Sequence, residues 1–322
     1  MEQNKNICVI GAGKWGLNHV RTLAELNALG AVVDLNVEVL NFITKEFPKC
    51  NIYEKLNDAV IKKYDGFIVA TNPVSHFKIA KKIIKGGKSL LVEKPLTLSY
   101  SSSTELCDLA VANNVSLMVG HVLLFHPAFL KMKNIINSGR IGDIQYIYSN
   151  RLNLGTFRSS ENVFWSFAPH DIALFGYFFE EEPLNVFSDG VDILQKGIHD
   201  TSITTFKYSA NKMGHIFVSW LHPFKEHRFI IIGSKGMLHF EDSFDNKNLL
   251  LYNKKVEFLS AVPTAKSGET IKIEFEDSKP LTNQLKYFLS CIDSGDVKIS
   301  SGQNGADVIK ILEKASNALN FN

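Results

Sequence analysis

Short, uniformly apolar runs alternate with stretches of helical spacing in the first part of the chain. In one such stretch Val74, Phe77, Ala80 and Ile84 recur at intervals of three or four positions, which is typical of an amphipathic helix. Apolar strands separated by helices predict right-handed βαβ units, a parallel sheet and helices on both of its faces. The apolar runs are ICVI (7–10), AVVDL (31–35), GFIVA (66–70), SLLVE (89–93) and VSLMV (115–119).

The rest of the chain has a different pattern, in which longer segments alternate apolar and polar residues. Polar turns at 209–214 and 233–236 join neighbouring segments, and this arrangement favours antiparallel hairpins. Helices are predicted over 127–138, about 280–293 and 303–320. The predicted strands are 144–154, 201–209, 214–221, 227–233 and 271–277.

Length and pattern together predict two domains. The chain has 322 residues, whereas a typical domain has about 150. The pattern changes near residues 120–124, which predicts a parallel α/β domain of residues 1–122 and an α+β domain of residues 123–322 with a large, mainly antiparallel open sheet. Helices of the same chain can cover one face of such a sheet, and a second subunit often covers the other. We therefore expect a homodimer or homotetramer formed through the C-terminal sheet.

Composition and charge exclude several classes of protein. Hydrophobic residues make up 45% of the chain and charged residues 21%, close to the average for globular proteins. The 35 Lys and Arg residues and 33 Asp and Glu residues leave a net charge of +2, which argues against a nucleic-acid or membrane partner. No apolar run reaches the roughly 18 residues of a membrane span, and the N-terminus does not resemble a signal peptide.

The four cysteines are Cys8, Cys50, Cys107 and Cys291, which are widely spaced and form no C-x-x-C motif. Without a secretory signal, this usage predicts reduced thiols in a cytoplasmic protein. The sequence also lacks the ligand set of a structural zinc site, so no metal is expected.

The glycine-rich segment after the first predicted strand is typical of a dinucleotide-binding turn. Gly11 permits the tight turn, Gly13 lets a pyrophosphate approach the backbone, and Gly16 lets helix and strand pack closely. The start of the next helix offers free N–H groups to phosphate. The alternative is a glycine turn that serves packing alone. The segment comprises Gly11, Ala12, Gly13, Lys14, Trp15 and Gly16.

An acidic residue at the end of the second predicted strand indicates which dinucleotide binds. The carboxylate of Asp34 can accept hydrogen bonds from both ribose hydroxyls and would repel a 2′-phosphate. No arginine follows it. The sequence therefore predicts NAD as the cofactor, with NADP less favoured.

Glu93, Lys94 and Pro95 lie at the end of the predicted strand 89–93. In an open parallel sheet the carboxyl ends of the strands face the ligand crevice, so Lys94 is a candidate active-site residue. Taken alone, a lysine at this place is as readily a surface charge. Its position beside the predicted dinucleotide site favours a function.

With these motifs the chain resembles the Gfo/Idh/MocA oxidoreductases, a family named after glucose–fructose oxidoreductase and inositol dehydrogenase. The resemblance covers essentially the whole length and includes Thr71-Asn72-Pro73 with His76, Glu93-Lys94-Pro95 and Gly120-His121. It implies an N-terminal Rossmann domain, a C-terminal domain whose open sheet mediates oligomers, and NAD(P)-dependent chemistry on a sugar or cyclitol hydroxyl.

The same resemblance implies roles for individual residues. Lys94 is expected to contact both the cofactor and the reacting hydroxyl, and the Lys94–Pro95 peptide is expected to be cis. The implied cofactor contacts are Thr71, Asn72, Pro73, His76, Glu93 and Lys94, and the implied substrate contact in this domain is His121.

The second domain carries a narrower resemblance, to family members that act on nucleotide-linked sugars, including UDP-N-acetylglucosaminuronate 3-dehydrogenases. It rests on the segment 151–158 and on Trp165-Ser-Phe-Ala-Pro-His170-Asp171. The subgroup has a histidine at the reacting carbon, and His170 matches it. Arg158 is placed to meet an anionic group. The implied substrate contacts are Asn153, Arg158, Trp165, Ser166 and His170.

Three features of this segment leave alternatives open. His170 could instead be a helix residue bonded to a backbone group, and Arg158 could be a solvated charge. Ser166 stands where the subgroup has an aspartate. Residues four apart share a helix face, so Ser166 and His170 are expected to point into one pocket. An uncharged serine there indicates either a different substrate or reduced catalysis.

Oxidation of a hydroxyl by hydride transfer needs a base whose pKa lies near the working pH. A histidine starts near that value, and a lysine approaches it only when desolvated or placed beside a positive charge. Lys94 and His170 are therefore the predicted catalytic residues. The predicted function is an NAD-dependent oxidoreductase that transfers a hydride between the nicotinamide and a sugar hydroxyl or ketone, on a nucleotide-linked sugar in polysaccharide biosynthesis. The alternatives are an aldose or inositol dehydrogenase and a catalytically weak sensor that binds NAD and a sugar.

Overall fold

A computed structural model describes residues 5–159, 161–245 and 247–319. The chain forms two compact units. The first comprises the chain up to Phe125 together with Ser278–Lys310, and the second comprises His126–Asp277 and the chain from Ile311 onward. The sequence placed all of 123–322 in the second domain, whereas residues 278–310 belong to the first unit. An amphipathic pattern shows which face of a helix is buried, but not which sheet that face covers.

The first unit is built on a six-stranded parallel sheet in the order β3-β2-β1-β4-β5-β6. Its strands are β1 (Ile7–Ile10), β2 (Leu29–Val33), β3 (Asn51–Tyr53), β4 (Gly66–Val69), β5 (Ser89–Val92) and β6 (Leu117–Val119). Strand β1 pairs with β2 on one side and with β4 on the other, so the chain reverses its winding direction beside β1. At such a switch point the carboxyl ends of the strands border a ligand crevice. The predicted parallel sheet is confirmed.

Helices α1 (Gly16–Glu25), α2 (Val37–Glu46), α3 (Asp58–Lys63), α4 (Pro73–Lys85) and α5 (Tyr100–Ala112) connect these strands. Side-chain oxygens cap four of them. They belong to Asn36, Asn57, Asn72 and Ser99, and each accepts a backbone N–H in the first turn. Among the described residues α1 has no side-chain cap; the N–H groups of Leu17 and Asn18 donate to the backbone oxygens of Gly13 and Trp15, both at 2.9 Å.

The second unit is built on an eight-stranded sheet in the order β16-β13-β12-β11-β7-β10-β9-β8. Every neighbouring pair is antiparallel except β7 and β10, which run parallel. The strands are β7 (Ile144–Leu154), β8 (Asn185–Val191), β9 (Thr201–Lys207), β10 (Met213–Ser219), β11 (Leu221–Gly233), β12 (Met237–Glu241), β13 (Asn248–Tyr252) and β16 (Thr270–Lys272). Strands β14 (Lys255–Leu259) and β15 (Val262–Lys266) form a separate hairpin.

Helices α6 (Pro127–Asn137), α7 (Val163–Phe167) and α8 (Pro169–Phe179) lie within the second unit. Helix α8 lies close to the sheet because Gly214 of β10 has no side chain; a Cβ there would come within 2.6 Å of the Phe175 ring. Helices α9 (Pro280–Ser294) and α10 (Gly302–Leu319) end the described chain. The large, mainly antiparallel sheet and the two final helices confirm the sequence prediction.

One predicted strand is wrong. Residues 271–277 alternate apolar and polar side chains, yet strand β16 ends at Lys272. The N–H of Ile273 still donates to Leu249 O at 2.8 Å, after which the chain leaves the sheet. Phe275 then packs against the rings of His126 and Phe240. Ile273 is buried and Ile271 and Phe275 are half-buried, in keeping with the alternation, but the backbone between them does not continue the strand.

Within the described residues, no helix is long and apolar enough to cross a membrane. The cysteines Cys8, Cys50, Cys107 and Cys291 are all free thiols. Burial raises the pKa of the Cys50 and Cys107 thiols to about 11, so both are protonated at neutral pH. Protonated thiols are weak nucleophiles, and the structure gives these residues no catalytic setting.

Candidate active site

The turn between β1 and α1 has the geometry of a phosphate-binding loop. Gly11 has a φ of +84°, and a Cβ on Gly16 would lie 2.0 Å from Gly11 O, so these two positions require glycine. Gly13 differs, because nothing lies within 4 Å of the place where its Cβ would be. Gly13, Lys14 and Trp15 are exposed, and the uncapped start of α1 follows them. The loop therefore presents open space and the positive end of a helix to an anion.

Asp34, at the end of β2, is tied to this loop. Its Oδ2 accepts the N–H of Ala12 at 2.7 Å, and its Oδ1 accepts the N–H of Asn36 at 2.9 Å. Each carboxylate oxygen has a second lone pair, so Asp34 keeps the capacity to accept hydrogen bonds from a ribose. The carboxylate thus holds the glycine loop in place.

The loop after β4 contains Thr71, Asn72 and Pro73. The Thr71 methyl group lies 2.8 Å from where a Gly11 Cβ would be, so this loop packs directly against the glycine turn. Asn72 caps α4, and Pro73 is its first residue. His76 is fully buried, with Nε2 3.0 Å from Thr71 O and Nδ1 2.8 Å from Pro95 O. His76 therefore connects the loop after β4 to the loop after β5.

The Glu93 carboxylate, at the end of β5, is almost fully buried and gathers several donors. Its Oε1 lies 2.7 Å from His19 Nε2, and its Oε2 accepts the N–H of Lys94 at 3.2 Å. Burial alone would raise the pKa of Glu93. Hydrogen bonds from His19, Trp15 and the Lys94 backbone outweigh burial and hold the pKa below its usual value. Glu93 is therefore ionised at neutral pH.

Two further residues complete this edge of the sheet. A Cβ on Gly120 would come within 2.6 Å of Glu93 Oε2, so glycine leaves the room that the carboxylate occupies. His121 is buried, and burial together with the positive charge of Lys94 lowers its pKa to about 4, against the opposing effect of Glu93. The half-buried Lys94 precedes a cis peptide bond to Pro95, which confirms that expectation.

In the second unit, a buried ion pair fixes the helix that carries His170. Arg151 of β7 donates to both carboxylate oxygens of Asp171, from Nε at 2.8 Å and from NH2 at 2.9 Å. Ser149 Oγ donates to the same carboxylate at 2.7 Å, and Asp171 is fully buried. Such a bidentate pair fixes orientation as well as distance. It holds the first turn of α8, where His170 is half-buried.

Ser166 and His170 lie on two short helices rather than one. Helix α7 ends at Phe167 and α8 begins at Pro169, which has no N–H to continue the bonding. The linking residue Ala168 keeps a helical backbone, with φ −71° and ψ −20°. The spacing of four therefore still places Ser166 and His170 along one side of the pair, and both are half-buried.

The other predicted substrate residues have different surroundings. Trp165 is half-buried, and its indole Nε1 donates to Ser316 Oγ of α10 at 2.7 Å. The buried Oδ1 of Asn153 has no hydrogen-bond partner among the described residues. Arg158 lies in an exposed loop, 3.7 Å from the carboxylate of Glu161. Trp165 is fixed by its hydrogen bond, whereas Arg158 has the solvated setting that the alternative interpretation describes.

Sequence reasoning missed two structural contributors. His19 falls on the buried side of α1, but no motif connects it to Glu93, which is 74 residues away. Asp200 is fully buried and accepts hydrogen bonds from the Trp220 indole and from the N–H groups of Ile193 and Leu194. Phe157 and Phe167 contact the Trp220 ring edge-on. The Asp200–Trp220 pair thus supports both segments that bear predicted substrate residues.

The residues of the first unit fit a dinucleotide. Open space at Gly13, the uncapped N-terminus of α1 and the carboxylate of Asp34 match a pyrophosphate and a ribose in kind and in order along the sheet edge. By contrast, no cluster of three or more His, Cys, Asp or Glu side chains in the described part of the chain could hold a metal ion.

Two family models match the chain. One, described as "Oxidoreductase family, NAD-binding Rossmann fold", matches residues 5–121. The other, described as "GFO/IDH/MocA C-terminal domain", matches residues 129–239. Together they cover both the glycine turn and the segment around His170, in agreement with the resemblance found in the motifs.

Characterised relatives are similar at low identity. The UDP-N-acetylglucosamine 3-dehydrogenase of Acidithiobacillus ferrooxidans is 28% identical over 184 residues, which is 57% of this chain and 57% of that protein. The chain thus aligns with less than two thirds of that relative. The scyllo-inositol 2-dehydrogenase (NAD(+)) of Bacillus subtilis is 24% identical over 317 residues, covering 93% of this chain and 89% of that protein.

A solved structure has the same fold. The crystal structure of the A. ferrooxidans UDP-N-acetylglucosamine 3-dehydrogenase superposes with a TM-score of 0.86 at 22% identity, covering 98% of this chain and 97% of that chain. At this identity the likeness concerns the fold alone. It extends over both units.

Proposed function

The chain belongs to the Gfo/Idh/MocA oxidoreductase family, and from this we propose that it is an NAD-dependent dehydrogenase of a sugar hydroxyl, acting on a nucleotide-linked sugar. One observation carries the proposal. The glycine turn, with its open space at Gly13, lies at the same edge of the parallel sheet as the ionised Glu93 and the adjoining Lys94. A dinucleotide held by its pyrophosphate at a Rossmann switch point extends along this edge.

The proposed chemistry divides between cofactor and protein. When bound, NAD supplies the nicotinamide that takes up the hydride. The substrate loses a hydride from carbon and a proton from its hydroxyl, so that a ketone forms. Lys94 is proposed to hold the reacting oxygen, and His170 to take the proton as general base. The Arg151–Asp171 pair keeps the histidine-bearing turn of α8 in one orientation, which such a proton transfer needs.

Asp34 supports NAD rather than NADP. Its carboxylate already accepts two backbone N–H groups, and its remaining lone pairs suit the donors of an unmodified ribose. A 2′-phosphate would bring like charges together. The remaining proposed cofactor contacts are Ala12, Lys14, Trp15, Thr71, Asn72, Pro73 and His76, the last acting through the two loops that it connects.

The substrate class is proposed from the second unit. The Trp165-to-Asp171 segment resembles that of enzymes acting on nucleotide-linked sugars, and a UDP-sugar 3-dehydrogenase is among the relatives. The proposed substrate contacts are His121, Asn153, Trp165, Ser166, His170 and, for an anionic group, Arg158. An inositol dehydrogenase is the second candidate, because the B. subtilis enzyme aligns over 93% of this chain.

A homo-oligomer through the C-terminal sheet is also proposed. The face of that sheet opposite α8 carries aromatic side chains, including a stacked pair of Tyr148 and His215 with ring centroids 5.1 Å apart. Phe187 and Ile203 on the same sheet are exposed. Sedimentation of the purified protein measures its oligomeric state, and a monomer at micromolar concentration would contradict this assignment.

NADH formation followed at 340 nm tests the proposed function. The protein is mixed with NAD⁺ and a panel of UDP-linked sugars, the matching free sugars, inositols and aldoses. We expect turnover with a UDP-linked sugar, at a lower KM than with its free counterpart. A preference for inositols would favour the second candidate. Absence of turnover across the panel, in protein that binds NADH by calorimetry, would favour the sensor.

A further inference from the structure

A fully buried histidine in α1 has one hydrogen bond in the structure. His19 Nε2 lies 2.7 Å from Glu93 Oε1, and the Nδ1 atom has no partner among the described residues. The Trp15 ring meets the imidazole edge-on, at 6.3 Å between centroids. An ionised carboxylate only accepts hydrogen bonds, so His19 must donate from Nε2. The hydrogen bond that the structure gives this imidazole is therefore the one it donates to Glu93.

The Glu93 carboxylate connects two segments that are distant in sequence, the glycine loop with the start of α1 and the loop after β5. His19 belongs to the first turn of α1, Trp15 belongs to the glycine loop, and the third donor is the backbone N–H of Lys94. Gly120 supplies the space, since any Cβ there would collide with the carboxylate. The loop that would bind pyrophosphate and the loop that carries Lys94 thus share one buried anion.

We propose that His19 is a positioning residue, which holds the Glu93 carboxylate so that the glycine loop and the Lys94 loop keep a single relative arrangement. The proposal rests on the proposed dehydrogenase function, because a fixed arrangement of the two loops matters for binding the cofactor beside Lys94. It adds a residue that no motif of the sequence identified. His19 itself contacts neither reacting group; it acts through Glu93.

The physical reason lies in the cost of leaving a buried carboxylate without a donor. Replacing His19 by an apolar residue removes one charge-assisted hydrogen bond from an anion that cannot reach water. The carboxylate then turns toward other donors or takes up a proton. Either change alters its bond to the Lys94 N–H and its contact with Trp15. The glycine loop and the Lys94 loop are then no longer held by the same carboxylate. The catalytic rate is therefore expected to fall by more than the stability of the fold.

Three variants separate positioning from packing. His19→Leu removes the donor, whereas His19→Gln places an amide N–H near the position of Nε2. Ser116→Ala is the matched control, because its buried Oγ donates to Cys291 O at 2.9 Å, at the amino end of β6 and the opposite edge of the sheet. For each variant we measure the NADH dissociation constant by calorimetry, kcat and KM with the best sugar of the panel, and the melting temperature.

We expect His19→Leu to weaken NADH binding by about tenfold and to lower kcat by more than that, with a smaller change in the sugar KM. His19→Gln restores both values to within about threefold of the unmodified protein. Ser116→Ala lowers the melting temperature without changing either value. The double variant His19→Leu/Glu93→Ala is expected to be no worse than Glu93→Ala alone, since both changes remove the same bond.

The proposal is overturned if His19→Leu changes only the melting temperature, as the control does, or if His19→Gln fails to rescue a correctly folded protein. Failure of the proposed function looks different. In that case the unmodified protein turns over no sugar, while the NADH affinities of the variants still decide the role of His19. An unmodified protein that binds neither NADH nor NADPH would contradict both.

Discussion

The two regions with predicted chemistry are built differently. The dinucleotide site of the first unit consists mainly of backbone: two required glycines, an uncapped helix start and a carboxylate that binds two N–H groups. The region around His170 in the second unit depends on side chains from distant segments. Trp165 bonds to Ser316, and Arg151 pairs with Asp171.

This difference follows from the ligands that the two regions are proposed to bind. A dinucleotide presents the same pyrophosphate and ribose to every member of a family, so a short motif with fixed backbone geometry suffices. A substrate differs between members, and its recognition needs side chains that can be exchanged. The binding site of the first region can therefore be predicted from a short sequence motif, whereas that of the second region cannot.

Loss of Lys94 should have the largest effect. Lys94→Ala is expected to lower kcat by about 10²–10³-fold, the usual cost of removing one donor that stabilises the reacting oxygen, while the NADH dissociation constant changes much less. Steady-state kinetics and calorimetry measure the two values. Lys85→Ala, an exposed lysine at the end of α4, is the matched control. Near-normal activity of Lys94→Ala would remove Lys94 from the mechanism.

His170 tests the second region. We expect His170→Gln to lower kcat by about 10²-fold, because glutamine can bond to the substrate but cannot take its proton. NADH affinity should stay unchanged. His222→Gln serves as the control, since the His222 ring bonds only the nearby Phe224 carbonyl in the described structure. Equal activity of the two variants would support the interpretation of His170 as a residue bonded to backbone.

Asp34 sharpens the assignment of the cofactor. The unmodified protein is expected to prefer NAD over NADP by at least about tenfold in kcat/KM, roughly 1.4 kcal/mol. Asp34→Ser should remove most of this preference and also weaken NAD binding, because Ala12 loses its acceptor. Parallel assays with both cofactors measure the ratio. Equal kinetics with NAD and NADP in the unmodified protein would contradict the role of Asp34.

Ser166 probes the departure from the related sugar dehydrogenases. We expect activity on a nucleotide-linked sugar in the unmodified protein, and a change of less than about tenfold in kcat/KM for Ser166→Asp or Ser166→Ala. The reason is that the other proposed groups, Lys94 and His170, remain. A protein that is inactive until Ser166→Asp is introduced would instead be the sensor.

Lowering the pH should destabilise the second unit, because His126 caps the N-terminus of α6. His126 Nδ1 accepts the Ala128 N–H at 3.1 Å, and burial lowers the pKa of His126 to about 4. The unfolded chain therefore binds the extra proton between about pH 6.5 and 4, and the free energy of unfolding falls as the pH drops through that range. We expect a loss of about 2 kcal/mol by pH 5. Melting curves of His126→Asn, which keeps a cap acceptor, should show a smaller loss; an identical loss would exclude His126.

Much of the fold could be predicted from local patterns. The apolar runs located β1, β4 and β5, and the glycine motif located the turn after β1, because each depends on residues close in sequence. The strand order, and with it the switch point beside β1, depends on pairing between distant segments. The pairing of strands in the second unit was harder to predict from the sequence. The parallel pairing of β7 with β10 joins residues 67 positions apart, such as Tyr146 and Met213, which periodicity does not record. The same limitation explains the wrong strand at 271–277, where burial continues after the ladder has ended.

The site residues also differ in whether they could be predicted from local sequence. Asp34 was predictable because it follows a strand at a fixed distance from the glycines. His19 was not, since its partner Glu93 lies four strands away in the chain order, and a buried histidine on a helix is an ordinary feature. Asp200 and Trp220 likewise have meaning only as a pair. Residues that act through another side chain are visible only once the fold brings the two together.

A crystal structure of the protein with bound NADH tests the central claim most directly. The account predicts the pyrophosphate at the open space of Gly13 and the start of α1, the adenine ribose on Asp34, and the nicotinamide at the edge where Lys94 follows β5. A dinucleotide bound in the opposite direction, with adenine beside Lys94, or bound away from this edge, would contradict it.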